Sequence, residues 1–242
     1  MLTQLERDWP GRTRRHPRLV DGNYLILSAL VGSLARARDR YVVAPARVLD
    51  VGCGDMPYYP LFAGVASEYV GADVVPGPKV THVCPIEALS VPDASVDLVL
   101  CTQVLEHAKD PPVALTEVAR VLRGGGHAFV STHGVYPFHP HPNDYWRWTQ
   151  QGLESLFAGI PELELVELVP HRGTAACLAL LVSNYTEMLA TSLRVAPLAR
   201  PLIGAMNLAA LGGDRLTRRL HYPNPHTLIA NFLVVARRRD PS

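Results

Sequence analysis

The sequence predicts an α/β fold: a doubly wound, mostly parallel sheet of seven strands, with an antiparallel last strand and a mainly helical apolar insertion before it. Three observations carry this. Between residues 47 and 132, short β-branched and aliphatic runs alternate with segments of helical periodicity. The run Val48-Leu49-Asp50-Val51 breaks directly into Gly52-Cys53-Gly54. A second run then ends on Asp73, nineteen residues beyond Gly54.

The segment up to Arg18 carries Arg7, Arg12, Arg14, Arg15 and Arg18, is broken by Pro10 and Pro17, and reads as a solvated arm. From Asn23 to Arg40, Leu27, Leu30, Val31 and Leu34 recur at helical spacing, with arginines gathered at the end that suits the helix dipole. Val48, Leu49 and Val51 suit a strand buried on both faces. Pro60 opens a short helix, Tyr69 to Val74 reads as the second strand, and Val80 to Val83 as a brief third. A loop with a helical turn, Ile86 to Asp97, leads to the fourth strand, Val96 to Cys101.

Asp110 and Pro111 open a helix whose apolar face includes Val113, Leu115, Val118, Val121 and Leu122, and Gly124 is expected to stop it. His127 to Thr132 is the fifth strand, Gly152 to Phe157 a helix, Leu163 to Val169 the sixth strand and Leu228 to Ala236 the last. Thr174 to Leu216 is strongly apolar, but Glu187, Arg194 and Arg200 keep every uncharged run below the ~18 residues of a spanning helix. A dimer surface or a cap over an apolar acceptor ranks above a helix lying on a membrane. The expected organisation is one domain, 1–242, comprising an arm and covering helix (1–45), a cofactor-binding core (46–170), the apolar insertion (171–227), and the last strand with its tail (228–242).

Composition narrows the function. Hydrophobic residues are 48% and charged residues 19% of 242, enough apolar material for a full core. With 23 basic against 22 acidic residues, no electrostatic surface dedicated to nucleic acid is expected. Cys53, Cys84, Cys101 and Cys177 are widely spaced and read as small buried hydrophobes in a reducing compartment. The first residues lack the apolar core of a signal peptide, so a cytoplasmic location is expected.

The glycine turn lets the backbone bend and lets a ligand approach the main chain, with Asp50 at the carboxyl end of its strand, where open α/β sheets bind ligands. Pro57 stands where a phosphate-cradling Gly-x-Gly-x-x-Gly needs its third glycine, which favours a cofactor without a pyrophosphate. The distance from the glycines to Asp73 is that at which a second strand places an acid against a ribose.

Four stretches together resemble class I S-adenosylmethionine-dependent methyltransferases, in particular the methyltransferase type 11 group, whose sheet is Rossmann-like. They are Val48 to Gly54, Val70 to Asp73, Asp97 to His107 and Arg120 to Gly126. The resemblance implies S-adenosyl-L-methionine as cofactor, with Asp50, Gly52, Cys53 and Gly54 on its methionine side and Asp73 and Val74 at the ribose. It sets Ile86 and Glu87 beside the adenine, and Gln103 and His107 near the sulfonium. The chain departs from many relatives at Met56, where they carry glycine, and at Pro85, where they carry aspartate.

The loop His133 to Thr149 follows a central strand and is dense in proline, histidine and aromatics, so it is expected to wall the acceptor. His107, His133, His139 and His141 are the candidate general bases, because methyl transfer to a hydroxyl needs a proton acceptor near neutral pKa. Tyr58, Asp144, Tyr145, Trp146 and Arg147 are candidate substrate contacts. No metal site is expected: His139-x-His141 with Asp144 lacks a third well-spaced ligand. The leading reading is methylation of a small molecule, sugar-bearing or apolar, at oxygen ahead of nitrogen or carbon. The alternative is a protein of the same fold that binds the cofactor without transferring methyl, as a cyclase or scaffold, and an oxidoreductase ranks third.

Overall fold

The computed structural model describes residues 3–217, 224 and 227–240. Seven strands form one sheet: β1 (Ala46–Val51), β2 (Ala66–Asp73), β3 (His82–Val83), β4 (Val96–Thr102), β5 (Leu122–His133), β6 (Leu163–His171) and β7 (Asn231–Arg238). Their spatial order is β3-β2-β1-β4-β5-β7-β6. The pairs from β3 to β5 are parallel, and β7 runs antiparallel to both β5 and β6. The order reverses between β1 and β4, which is where doubly wound sheets open a crevice at the carboxyl ends of their strands.

Strand alternation sorts the core into two layers. Leu49 and Val51 of β1 join Val99, Cys101, Val130 and Val234 on one face, covered by α5 (Pro111–Val121) and α6 (Gln150–Ala158). Ala46 and Val48 join Leu98, Leu100, Phe129 and Val235 on the other, under α3 (Tyr24–Tyr41) and α4 (Tyr59–Phe62). The α5 helix starts as expected: Asp110 accepts the Val113 N–H and Pro111 occupies the first turn. It ends at Val121, before Gly124, because Leu122 already pairs with Val96 as β5 begins.

The N-terminal segment differs from a solvated arm. It forms α1 (Gln4–Asp8) and α2 (Arg12–Arg15), and Arg15 is 2% exposed. Its guanidinium donates to the carbonyls of Glu6, Trp9, Pro10 and Pro57, while the Trp9 indole donates to the Met56 carbonyl. Five carbonyls thus find side-chain donors, and the arm is fixed to the segment that follows the glycine turn.

The apolar insertion folds as α7 (Thr174–Ser192) and α8 (Ala196–Leu216). The buried Asp214 carboxylate accepts the backbone N–H groups of Gly173, Ala175 and Ala176, capping α7 from α8. Leu178, Val182, Tyr185, Met188, Leu198, Leu202 and Leu208 remain exposed along the pair. No helix among the described residues is long and apolar enough to cross a membrane. Residues 218–223 and 225–226 of the expected insertion lie outside the described residues.

Candidate functional site

A cavity of about 560 Å³ opens at the crevice. Gly52 reaches it from the end of β1, Asp73 and Val74 from β2, and Thr102, Gln103 and Val104 from β4. Ile86 and Glu87 close one side, and His107, His139, His141, Asn143 and Tyr145 the other. Arg14 of α2 also lies on the wall. The volume falls within the range of small-molecule and cofactor sites.

The two glycines of the turn do different work. Gly52 has φ +66°, and a Cβ there would stand 2.2 Å from Val104 Cγ2, so its bare backbone admits the β4 loop. Gly54 has φ +47°, and a Cβ there would meet nothing within 4 Å; its N–H donates to Asp73 Oδ2 at 2.9 Å. The Val75 N–H donates to Asp73 Oδ1, also at 2.9 Å. Each carboxylate oxygen therefore accepts one backbone bond, keeping capacity for a further donor such as a ribose hydroxyl.

Asp50 and Tyr58 are not on the cavity wall. Strand alternation turns Asp50 toward α3 and α4, where it is 1% exposed and accepts the Tyr69 hydroxyl at 2.7 Å. Burial pushes its carboxyl up to about 7, against the pull of that hydrogen bond. Tyr58 is 1% exposed in the same core, and Cys53 is buried beside Gly71, whose Cβ would meet its sulfur at 2.5 Å.

Gln103 has φ +58°; its amide donates to Ser131 Oγ and Asn231 Oδ1, and its carbonyl Oε1 is buried without a partner among the described residues. Glu87 Oε1 accepts the N–H groups of Lys109 and Asp110. His107 Nδ1 faces the Asn143 carbonyl. A carbonyl can only accept, so Nδ1 is the donor in this contact, and in the neutral ring that leaves Nε2 as the acceptor nitrogen.

The loop after β5 is held by Asp144, 1% exposed at its side chain. It takes a two-pronged bond from Arg147 and the His139 N–H, which together hold its carboxyl well below the usual range. Arg147 also donates to the carbonyls of Tyr136 and Pro137, and the Trp146 indole donates to Ala108 O. Asp144, Trp146 and Arg147 thus brace the loop, while Tyr145, 51% exposed, lines the cavity.

His133 lies behind the wall, stacked on Tyr136 at 3.8 Å between ring centroids. Burial drives its imidazole far below its ordinary pKa and keeps it neutral. Its Nε2 stands 3.3 Å from Oε1 of Glu106, a fully buried residue whose Oε2 accepts the Thr132 hydroxyl at 2.8 Å. Burial pushes the Glu106 carboxyl up to about 7. Sequence reasoning does not single out Glu106: its partners Thr132 and His133 lie 26 and 27 positions away and meet it only because β5 pairs beside β4. Arg14 is hidden in the arginine-rich arm.

A sequence profile described as "Methyltransferase domain" matches residues 27–167, more than half of the chain. The chain belongs to the methyltransferase-domain family. It is 38% identical over 104 residues to a probable S-adenosylmethionine-dependent methyltransferase of Mycobacterium tuberculosis, covering 38% of either chain. It is 34% identical over 108 residues to a ubiquinone biosynthesis O-methyltransferase of Xanthomonas oryzae pv. oryzae, covering 38% of this chain and 45% of that one. The chain therefore spans less than half the length of those two relatives in alignment. Among solved structures, the cyclase SpnF superposes with a TM-score of 0.58 at 19% identity, over 89% of this chain and 82% of that one. The 1,6-didemethyltoxoflavin-N1-methyltransferase of Burkholderia thailandensis, crystallised with S-adenosylhomocysteine, gives 0.54 at 17%, over 88% and 79%. These two likenesses concern the fold. The family is one of S-adenosylmethionine-dependent enzymes, and the open lone pairs of Asp73 with the orphaned Gln103 carbonyl fit a ligand rich in hydroxyl and amino donors.

Proposed function

We propose that the cavity binds S-adenosylmethionine and that the protein methylates a hydroxyl of a small molecule, with His107 as general base. The observation that carries this reading is that Asp73 and His107 line the same cavity, at the carboxyl ends of β2 and β4. The cofactor supplies an electrophilic methyl on a sulfonium. Asp73 would hold the ribose hydroxyls, Ile86 and Glu87 would border the adenine, and the Gly52–Gly54 turn with Gln103 would take the amino-acid end.

The acceptor would enter beside Tyr145 and His141. The contact of Nδ1 with the Asn143 carbonyl supports His107 as the base: it favours the tautomer in which Nε2 would accept the hydroxyl proton as the acceptor oxygen is alkylated. Holding the oxygen in line with the methyl is the larger part of the catalysis. The ubiquinone-pathway name of one relative supports oxygen as the acceptor atom.

The test measures S-adenosylhomocysteine binding by calorimetry, then its formation from S-adenosylmethionine across a panel of hydroxylated and amino acceptors by mass spectrometry. Turnover with hydroxylated compounds and loss of turnover in His107→Ala are expected. Binding without turnover on every acceptor would refute methyl transfer and favour a protein that only holds the cofactor.

A further inference from the structure

We propose that Glu106, His133 and His139 form a site for one divalent first-row transition-metal ion, zinc foremost, set into the wall of the cavity. Each of the three offers a ligand atom, and the three atoms lie within 4.8 Å of one another. Two imidazoles and a carboxylate make a donor set that suits zinc, iron or cobalt and disfavours magnesium and calcium, which take oxygen.

Two observations beyond the clustering point to a ligand. Glu106 is fully buried, yet its Oε1 has no hydrogen-bond partner among the described residues. Buried polar atoms are ordinarily satisfied, so a carboxylate oxygen aimed at two imidazoles and bonded to neither asks for something between them. The 3.3 Å between Glu106 Oε1 and His133 Nε2 fits two atoms that share an ion at ~2.0–2.2 Å from each.

The surroundings are those of a metal centre. The Thr132 hydroxyl fixes Glu106 through its other oxygen, Tyr136 fixes the His133 ring by stacking, and Asp144 Oδ2 lies 3.6 Å from His139 Nδ1. Asp144 also accepts the His139 backbone N–H at 2.9 Å, which holds that residue in place on the loop. His139 also lines the cavity, so three protein ligands would leave a position open toward the acceptor side. An ion there would polarise an acceptor oxygen or its bound water. The cluster shares no residue with the cofactor contacts proposed above and does not depend on the methyl-transfer reading.

The full chain, freed of affinity tag and treated with chelator, is titrated with Zn2+ by calorimetry and with Co2+ by visible absorption. Parallel titrations use Mg2+ and S-adenosylhomocysteine. About one equivalent of Zn2+ with micromolar or tighter affinity is expected, with d–d bands for Co2+ and no response to millimolar Mg2+. His139→Ala, on the loop, should weaken Zn2+ by at least ~100-fold with the circular dichroism unchanged, and Glu106→Gln should do the same. His82→Ala, at the far edge strand, should leave it intact. Absence of Zn2+ binding, equal affinity in His139→Ala, equal loss in His82→Ala, or Mg2+ binding as tight as Zn2+ would each overturn the proposal. Because S-adenosylhomocysteine binding is read separately, the metal site can fail while the cofactor site stands.

Discussion

Replacing Asp50 by asparagine should change how stability depends on pH while leaving the fold in place. Asp50 is buried among Tyr58, Tyr69 and the β1–β4 core, and burial lifts its carboxyl from 3.8 to about 7. In the unfolded chain the group ionises near its ordinary value, so between about pH 4 and pH 7 the native state binds the extra proton. Stability from this group is complete below the unfolded pKa and is lost as pH rises through the folded one. A shift of about three units, at about 1.4 kcal/mol each, puts the loss at about 4 kcal/mol by pH 8. Asparagine has nearly the same shape, accepts the Tyr69 hydroxyl through its amide oxygen, and does not ionise.

The difference in unfolding free energy between Asp50→Asn and wild type should therefore move in favour of the variant by about 3 kcal/mol between pH 4.5 and pH 8.5, the first ~1 kcal/mol of the loss falling below pH 4.5. Urea unfolding followed by the fluorescence of Trp9, Trp146 and Trp148 measures it. Glu106, also raised, and His171, lowered to about 3 by burial, titrate in the same window, but they are common to both proteins and cancel. A difference constant to about 1 kcal/mol across that range would refute the reasoning.

Asp73→Ala should weaken S-adenosylhomocysteine by about 1–3 kcal/mol through lost charge-assisted bonds, and unchanged calorimetric affinity would remove the ribose assignment. His107→Ala should lower turnover by ~10²–10⁴-fold with cofactor affinity kept, and full activity would exclude it as the base. Arg15→Ala should destabilise on the order of 3 kcal/mol by stranding four carbonyls, and limited proteolysis should then cut near Pro10. Unaltered protease resistance would show that α1 and α2 are anchored by other contacts.

The sheet and the Gly52–Asp73 side of the cavity are legible in the sequence because their signals are local. Two glycines at positive φ after an apolar strand, and an acid on the next strand, are backbone requirements that short stretches can state. Asp50 reads as a crevice residue because it ends a strand, yet the alternation already holds the contrary sign: Val48 and Asp50 share one face, Leu49 and Val51 the other. The opposite side of the cavity, with the cluster behind it, depends on chain crossings. Glu106 meets His133 through β4–β5 pairing, His139 comes to both through a loop fixed by Asp144 and Arg147, and Arg14 arrives from an arm anchored by Arg15. None of these is a spacing in the sequence.

The position of β7 has a consequence for how the chain assembles. It lies between β5 and β6, so β6, complete by His171, has no strand to pair with until residues 231–238 are present. The parallel half from β1 to β5 can pair without it, while α7 and α8 must be accommodated as the fifty-nine residues between His171 and Asn231 close into a loop. Closure over that distance is slow relative to local pairing. A chain emerging from a ribosome would hold a structured parallel half and a waiting edge, and Gln103, which bonds Asn231 in β7, would gain its final tether only with the last strand.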